Sequence, residues 1–286
     1  MRLSFSTATY ILRSLDYNLR MARDLGYDGV ELVIGPEALV AGAAALRRVV
    51  ERVGLPALSV HPPFTPLPGW PRYNIYSVPQ TMALARDLGA EVGVIHAISF
   101  YRPDATRNAY FSEALRRGRA AGGNVAALTI ESSQYNPQAP LGYLDHIRRL
   151  VNYARTRGCG LTFDTCHAGA CREDILLDYD LVRPLLRNVH LNDLVWRGDR
   201  ARTHLAPGDG ELPLRELMRR LARNGYDGLV TVELHPREVA LAGRGATERT
   251  LARAIAFMRA AIAEGKAEAA TPAAANEAAA PREELA

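Results

Sequence analysis

Eight short runs of β-forming apolar residues constrain the fold of this 286-residue chain more than any other feature. Each run is followed by a turn and then by a segment whose apolar positions have helical spacing. The runs read RLSFS, GVELV, ALSVH, EVGVIH, ALTIE, LTFD, NVHL and LVTVE, near residues 2, 29, 57, 91, 127, 161, 188 and 229. Because they do not alternate cleanly between apolar and polar residues, we expect strands buried on both faces of a parallel sheet. Eight such repeats predict a single-domain α/β protein with the fold of a (β/α)8 TIM barrel.

The alternative architecture is an open, doubly wound sheet. That fold usually carries a glycine-rich fingerprint after its first strand, and SFSTATY offers none. Glycines that would close helices as left-handed C-caps follow several segments, at Gly26, Gly54, Gly89, Gly158 and Gly225. We assign residues 1–263 to the barrel. Residues 264–286 are rich in Ala, Glu and Pro with almost no large apolar side chain, so we expect a disordered tail there.

The composition of the chain excludes several classes of protein. Hydrophobic residues make up 48% of it, yet no apolar run is long enough to cross a bilayer, which predicts a globular protein. MRLSFSTATY lacks the features of an export signal, and the three cysteines crowd between residues 159 and 171, so we expect a cytoplasmic protein with free thiols. Lys266 is the only lysine. Its place in the predicted tail excludes Schiff-base and P-loop lysine chemistry in the folded body.

Ionisable side chains collect at the ends of the predicted strands, which converge on one mouth in a barrel. The strand ends supply His61, His96, Glu131, Asp164, His190 and Glu233, while His167 follows the sixth strand and His204 lies in the seventh loop. Buried carboxylates are unfavourable without a cation or several hydrogen-bond donors. Since the body has no lysine, the cation is an arginine or a metal, and three carboxylates with one imidazole suit Mn²⁺, Co²⁺, Mg²⁺ or Zn²⁺. A network of ion pairs without a metal is the alternative.

This series of strand-end residues resembles the xylose isomerase-like TIM barrel superfamily, which includes sugar phosphate isomerases and epimerases as well as endonuclease IV. The resemblance covers residues 1 to about 263. In the epimerase branch a single divalent metal is held by Glu, Asp, His and Glu, which implies those roles for Glu131, Asp164, His190 and Glu233. The resemblance also implies that Glu131 and Glu233 are catalytic, as an acid/base pair that moves a proton next to a metal-polarised carbonyl. His167, in DTCH, would contact the substrate.

The endonuclease IV branch holds three zinc ions with a larger set of ligands. This chain matches most of that set, through His61, His96, His167 and His204 in addition to the four residues above. Arg202 stands where that branch has an aspartate, and a cation there would oppose a third metal. DTCHA and HLND resemble the nuclease, whereas SFSTATY, HPPFTPLPG, HAISF and ESSQYNP replace its other signatures. A two- or three-metal phosphodiesterase is therefore the alternative prediction.

The leading prediction is a metal-dependent isomerase or epimerase that acts on a sugar, a sugar phosphate or a related polyol. The candidates for a second metal or for substrate hydroxyls are His61, His96, His167 and His204. Arg202 and Arg237 are candidates for phosphate binding because the guanidinium fork suits phosphate, although loop arginines are commonly just solvated. We take Glu31, in GYDGVEL, as the end of the second strand, where it would contact substrate or pair with a loop arginine. We expect a small carbohydrate-like partner rather than nucleic acid or membrane, since the net charge of +4 is not clustered, and we leave a homo-oligomer open.

Overall fold

The computed structural model describes residues 1–10, 13–64, 67, 70, 77–96, 105–132, 143–236 and 244–270, without the side chains of residues 105–108, 143–146 and 244. Its strands are β1 (Arg2–Ser6), β2 (Gly29–Val33), β3 (Ala57–His61), β4 (Val92–His96), β5 (Ala127–Glu131), β6 (Gly160–Asp164), β7 (Leu186–Leu191), β8 (Asp193–Arg197), β9 (Arg200–Leu205) and β10 (Leu229–Val232). Eight of them form a closed barrel in the order β1, β10, β7, β6, β5, β4, β3, β2. Neighbouring barrel strands are parallel, and β8 and β9 form a separate antiparallel hairpin. The predicted (β/α)8 barrel is confirmed, and each of the eight apolar runs corresponds to a barrel strand.

Helices alternate with the barrel strands, as the helical spacing in the sequence predicts. They are α1 (Leu15–Leu25), α2 (Pro36–Val53), α3 (Ser77–Leu88), α4 (Ala105–Gly122), α5 (Tyr143–Thr156), α6 (Thr165–Gly169), α7 (Ile175–Val182), α8 (Leu214–Arg223) and α9 (Arg244–Ala270). Helix α1 shows how the local sequence sets the bounds: the Ser14 side chain accepts a hydrogen bond from the Tyr17 amide, and Gly26 closes the helix at a φ of 82°. The other glycines predicted to end helices also have positive φ: Gly54, Gly89, Gly158 and Gly225.

The interior of the barrel below its mouth is hydrogen-bonded rather than purely apolar. The hydroxyls of Ser4 and Thr231 lie 2.8 Å apart, and those of Thr129 and Thr162 lie 2.7 Å apart. Because side chains alternate along a strand, a residue two positions before an inward-facing strand end also faces inward. The pairs that follow this rule are Ser59 and His61, Thr129 and Glu131, Thr162 and Asp164, Asn188 and His190, and Thr231 and Glu233. The first residues of these pairs form a polar layer below the mouth, which we call the floor of the barrel. The floor and the candidate site residues at the strand ends therefore follow from the same strand periodicity.

Apolar residues fill the layer between the barrel and its helices. Helix α8 illustrates the pattern, because its buried residues recur at helical spacing: Leu214, Leu217, Met218 and Leu221. They pack in one core with outward-facing strand residues such as Val230 and Val232 and with Met258 of α9. This layer holds the strand ends in fixed positions around the mouth.

The last helix continues into the segment that the sequence assigned to the tail. Helix α9 ends at Ala270, so residues 264–270 are helical, and Lys266 lies on that helix. The carboxylates of Glu264 and Glu268 form ion pairs with Arg215 and Arg219 of α8. A spacing of four residues places both glutamates on the same face of α9, which explains why the helix does not stop at 263. Residues 271–286 lie outside the described residues.

The described part of the chain bears on two further predictions. The three cysteines are free thiols, as predicted; Cys159 and Cys166 are buried and Cys171 is partly buried. Among the described residues, no helix has both the length and the apolar character needed to cross a membrane.

Candidate metal centre and active site

Four of the predicted ligands meet at the C-terminal mouth of the barrel. Glu131 ends β5, Asp164 ends β6, His190 lies near the end of β7 and Glu233 directly follows β10. One ligand atom of each residue lies within 4.8 Å of the others, and all four side chains are buried. The His190 Nδ1 atom is 3.0 Å from Glu233 Oε2, 3.5 Å from Glu131 Oε1 and 3.8 Å from Asp164 Oδ2. We call this group the four-ligand cluster.

Two histidines from neighbouring strands form a second group with the other oxygen of Glu131. The Nε2 atoms of His61 and His96 are 2.8 Å apart, and they lie 3.3 Å and 3.1 Å from Glu131 Oε2. Strand pairing explains the approach, because His96 is in register with Glu131 across β4 and β5. We call this group the histidine pair. It is less enclosed than the four-ligand cluster, since the His96 side chain is 18% exposed.

A third group lies on the side of Asp164. His167 and His204 approach this carboxylate, with ring centroids 5.6 Å apart, and the His204 Nε2 atom is 3.9 Å from Asp164 Oδ2. His167 is placed by the short helix α6, whose first turn is capped by Asp164 Oδ1 at 2.8 Å from the His167 amide. His204 lies on β9 with a left-handed φ of 58°, which is uncommon for a residue with a side chain. Glu131 and Asp164 thus each face two groups of candidate ligands.

The histidines are oriented from behind by hydrogen-bond acceptors. His61 Nδ1 lies 2.6 Å from the Pro62 carbonyl oxygen, and His167 Nδ1 lies 2.8 Å from the Ser132 carbonyl oxygen. A carbonyl can only accept, so each Nδ1 must donate, and in the neutral ring the lone pair is then on Nε2. For His61 this lone pair faces His96 and Glu131. Metal-binding histidines are commonly fixed by such outer contacts.

The carboxylates and imidazoles at the mouth are close enough to shift one another's pKa values. Burial opposes the charged form of His190, but the carboxylates of Glu31, Glu233 and Glu131 outweigh it and raise the pKa of His190 well above its usual value. Burial likewise opposes ionisation of Glu233, yet the positive charge on His190 lowers the pKa of Glu233 to about 2. The pKa of Glu131 lies well below its ordinary value, because charge on His96 and His190 outweighs burial. Glu131 and Glu233 are therefore ionised in the metal-free protein, and positive charge close to them stabilises that form.

The residues present fit a divalent cation. Among the described residues, His190 Nδ1 is buried without a hydrogen-bond partner, although carboxylate oxygens of three residues surround it. An unpaired buried nitrogen among carboxylates is unfavourable unless it carries a proton or shares a cation with them. Three carboxylates and one imidazole are a donor set that suits Mn²⁺, Co²⁺, Mg²⁺ or Zn²⁺. The geometry thus gives the four predicted residues a common binding point.

The position of Glu31 differs from both sequence expectations. Its Oε2 atom accepts a hydrogen bond from Ser59 Oγ at 2.9 Å and lies 3.2 Å from His190 Nε2. The side chain is fully buried behind the His190 ring, and its hydrogen-bond partners among the described residues are Ser59, Asn188 and His190 rather than an arginine. The sequence predicts Glu31 as the end of its strand, but β2 continues to Val33. Glu31 pairs in register with Ser59, two positions before His61, and so it lies one inward-facing layer below the mouth.

Two residues next to the predicted ligands were missed in the sequence. Asn192 donates from Nδ2 to Asp164 Oδ2 at 3.1 Å, and its Oδ1 accepts from the Cys166 amide at 2.9 Å. Ser132 accepts from the Asp164 amide through Oγ at 3.0 Å. Each lies one or two positions after a strand-end ligand, and that closeness is the signal that could have identified them. They hold Asp164 and the start of α6 in place.

Arg202 and Arg237 are the two predicted candidates for phosphate binding. Arg202 is exposed on β9, two positions before His204. Arg237 lies outside the described residues. Phe64 lies beside the histidine pair, with its ring centroid 4.9 Å from that of His61.

Comparisons with known proteins agree with the fold. A family model described as xylose isomerase-like TIM barrel matches residues 19–261. Fructoselysine 3-epimerase of Escherichia coli O157:H7 is 25% identical over 256 aligned residues, covering 82% of this chain and 92% of that protein. Two solved structures have the same fold at a TM-score of 0.69. L-ribulose 3-epimerase is 18% identical and covers 99% of both chains, and the IOLI protein with a bound zinc atom is 17% identical over 92% of this chain and 99% of that one. The chain belongs to the xylose isomerase-like TIM barrel family.

Proposed function

We propose that this protein is a divalent-metal-dependent epimerase or isomerase that moves a proton on the carbon next to the carbonyl of a ketose or ketose derivative. The observation that carries the proposal is the position of two buried glutamates in one four-ligand cluster. In the closed barrel β6 and β7 lie between β5 and β10, so Asp164 and His190 separate Glu131 from Glu233. Two carboxylates on opposite sides of one binding point suit removal of a proton from one face and its return to the other.

The relatives support the same chemistry. One relative is a fructoselysine 3-epimerase, and one structure with this fold is an L-ribulose 3-epimerase. Carbon 3 of a 2-ketose is next to the carbonyl carbon, so its proton is acidified by the carbonyl, and C3 is the stereocentre that a 3-epimerase inverts. The IOLI protein, which has the same fold, binds zinc. These names favour a ketose as substrate and a divalent cation as cofactor for this chain.

The residues of the four-ligand cluster would both bind the cation and transfer the proton. Glu131, Asp164, His190 and Glu233 would hold the cation, which when bound would polarise the substrate carbonyl and acidify the neighbouring C–H bond. One glutamate would accept the proton from carbon through a carboxylate oxygen and later release it to solvent. The other would take up a proton from solvent and deliver it to the opposite face of the same carbon. Both have lowered pKa values, so both are available as bases in the metal-free protein. His190 and Asp164 keep the two glutamates apart.

Partly exposed side chains around the cluster would bind the substrate. The side chains of His96, His167 and His204 are 18%, 19% and 18% exposed, so they can contact a bound molecule. Their ring nitrogens match the hydroxyls of a sugar, and Phe64 offers an apolar face beside them. Arg202 on the rim would be the group that contacts a phosphate, if the sugar carries one.

The proposal is tested by proton exchange in deuterated water. The metal-stripped full chain is loaded with Mn²⁺, Co²⁺, Mg²⁺ or Zn²⁺ and incubated with D-fructose, L-ribulose or fructoselysine, and deuterium at carbon 3 and the epimer are followed by NMR. We expect the wild type to incorporate deuterium and to form the epimer. Glu233→Gln and Glu131→Gln should each lower the rate by at least about 100-fold, as expected when a general acid/base group is removed.

A matched control is Glu211→Gln, which makes the same chemical change at an exposed glutamate outside the ligand clusters. This variant should epimerise at the wild-type rate. If Glu233→Gln kept full activity while remaining folded, the proton-transfer role would be wrong. If no ketose exchanged its carbon-bound proton with any of the four metals, the epimerase proposal itself would fail.

One specific observation favours a second function. The described residues contain three groups of candidate ligands, and Glu131 and Asp164 are each shared between two of them. Shared carboxylates of this kind suit a site with two or three metals, in which a metal-activated water attacks a phosphate ester. Arg202, an exposed cation two residues before His204 in the sequence, argues against a metal in the third group.

Metal content and hydrolysis separate the two functions. If the protein is a phosphodiesterase, elemental analysis of protein purified without chelator should find two or three zinc ions per chain, and the protein should hydrolyse bis-p-nitrophenyl phosphate. His61→Ala and His96→Ala should then lose metal and hydrolysis together. One metal per chain, with no hydrolysis, would leave the epimerase.

A further inference from the structure

We propose that Glu31 is a positioning residue for the candidate metal centre, where it holds the His190 ring so that Nδ1 faces the three carboxylate ligands. This inference rests on the proposed function and extends it to a residue outside the four-ligand cluster. Glu31 lies on β2 and is fully buried. Its Oε2 atom is 3.2 Å from His190 Nε2, whereas Glu233 and Glu131 face Nδ1 of the same ring.

The hydrogen bonds around Glu31 fix the direction of this contact. Ser59 Oγ donates to Glu31 Oε2 at 2.9 Å, and Asn188 Nδ2 donates more weakly to the same oxygen at 3.4 Å. The amide of Asn188 is itself oriented, because its Oδ1 accepts from Thr231 Oγ1 at 3.0 Å. An oxygen that already accepts from two donors is an acceptor for the imidazole as well. His190 Nε2 therefore carries the hydrogen, and the nitrogen left to bind a cation is Nδ1.

The acceptor behind the His190 ring differs in charge from the acceptors behind His61 and His167. His61 and His167 each donate to a backbone carbonyl, which is neutral. His190 donates to a carboxyl group, and a carboxylate behind an imidazole makes the opposite nitrogen a stronger ligand. The contact therefore adds basicity at Nδ1 as well as orientation.

The other oxygen of Glu31 supports a role for its charge. Glu31 Oε1 is buried and has no hydrogen-bond partner among the described residues. A glutamine could accept from Ser59 and His190 without placing a further negative charge beside three buried carboxylates, so the hydrogen bonds alone do not account for a glutamate. A buried carboxyl group with an unsatisfied oxygen is unfavourable by itself. A divalent cation on the far side of the ring would offset that unfavourable charge.

The test measures metal affinity rather than turnover. Metal-free full-length wild type, Glu31→Gln and Glu31→Ala are titrated with Co²⁺ in competition with a chromophoric chelator, and the visible absorption of the bound Co²⁺ is recorded. Glu31→Gln keeps an acceptor for His190 and removes the charge, so its affinity should fall about 10-fold. Glu31→Ala removes both and should lose about 100-fold, the upper range for outer contacts of metal ligands. The Co²⁺ spectrum should change in the alanine variant, because the His190 ring is no longer fixed.

Two further variants separate positioning from general damage to the barrel. Ser59→Ala removes one donor to Glu31 but keeps the carboxyl group, so Co²⁺ affinity should fall only by about threefold. Thr129→Val removes the buried hydrogen bonds of Thr129 with Thr162 and Gly93 elsewhere in the floor, and it should bind Co²⁺ as the wild type does. Thermal unfolding of each metal-free variant shows whether its fold is intact.

The outcomes distinguish this inference from the proposed function. Wild-type Co²⁺ affinity and spectrum in Glu31→Gln and Glu31→Ala would overturn the positioning role, and so would an equal loss in Thr129→Val. Loss of affinity in the Glu31 variants of a protein that epimerises no ketose would support the positioning role and reject the proposed function. A wild type that binds no Co²⁺ would overturn both.

Discussion

Asp178 is a buried carboxyl group that belongs to none of the ligand clusters. It lies on α7, and neither of its carboxylate oxygens has a hydrogen-bond partner among the described residues. Burial, together with the nearby charges of Glu173 and Asp174, raises its pKa to about 7. An acid whose pKa is raised in the folded state binds its proton more tightly there than in the unfolded chain. Its contribution to stability is therefore intact below the unfolded pKa and is lost as the pH rises through about 7.

We predict that Asp178→Asn removes a pH-dependent loss of stability. The free energy of unfolding of the wild type should fall, relative to that of the variant, by roughly 2–4 kcal/mol between pH 5 and pH 9. Urea unfolding of the metal-free proteins at both pH values measures the difference. Asp180→Asn is the matched control, because Asp180 lies on the same helix but is exposed. Parallel pH profiles for the wild type and Asp178→Asn would contradict the prediction.

The loop between β7 and α8 is built around one buried carboxylate. Asp193 accepts four backbone hydrogen bonds, through Oδ2 from Gly208 and Gly210 at 3.0 Å each, and through Oδ1 from Leu194 at 2.9 Å and Leu212 at 3.0 Å. Gly210 permits this approach, since a Cβ atom there would lie 2.3 Å from Asp193 Oδ1. The same loop carries His204, whose amide donates to Cys166 Sγ at 3.1 Å. The hairpin thus places a candidate ligand in a strained conformation and holds it there.

We predict that Asp193→Ala loosens this loop and weakens the third ligand group. Four backbone donors would lose their acceptor, which should lower the free energy of unfolding by about 3 kcal/mol and speed amide hydrogen exchange between residues 194 and 212. Asp199→Ala at the exposed tip of the same hairpin serves as control and should change neither quantity. Unchanged exchange in Asp193→Ala would show that the loop is held by other contacts.

The elements differ in how far the sequence determines them. The strand ends that carry Glu131, Asp164 and Glu233 could be predicted, because parallel strands of one barrel must end at one mouth and their side chains alternate. The hairpin that carries His204 was not predicted, because RTHLAPGDG has the composition of an ordinary loop. The orientation of the His190 ring also could not be predicted. It depends on Glu31, which is distant in sequence and reaches His190 only after the barrel has closed.

At the scale of the whole molecule, α9 is the last helix described around the barrel and packs against α8. Gly265 of α9 is buried against the backbone of Arg219, and Glu264 and Glu268 pair with arginines of α8. We predict that a chain ending at residue 263 unfolds at a temperature roughly 2–5 °C lower than the full chain. A chain ending at residue 270 should match the full chain. Circular dichroism melts of the three proteins test this, and equal melting temperatures would place the end of the folded domain at 263 after all.

The mouth of the barrel gathers four buried carboxyl groups around one imidazole: Glu31, Glu131, Asp164, Glu233 and His190. Repulsion among the carboxylates should destabilise the metal-free protein. A cation that binds only the folded state should stabilise it by mass action. At a free metal concentration of about 100 times the dissociation constant, we expect a gain of about 2.7 kcal/mol. For a domain of this size that corresponds to a rise in melting temperature of roughly 5–10 °C.

Thermal unfolding of chelator-stripped protein, with and without added Mn²⁺, Co²⁺ or Zn²⁺, measures this rise. Asp164→Asn should abolish it, because Asp164 belongs to the four-ligand cluster and also faces the third group. Glu211→Gln, outside the clusters, should keep the full shift. If the wild type melted at the same temperature with and without every metal, the carboxylates would be held by protons and hydrogen bonds alone. The mouth would then be the metal-free ion-pair network that the sequence leaves as the alternative.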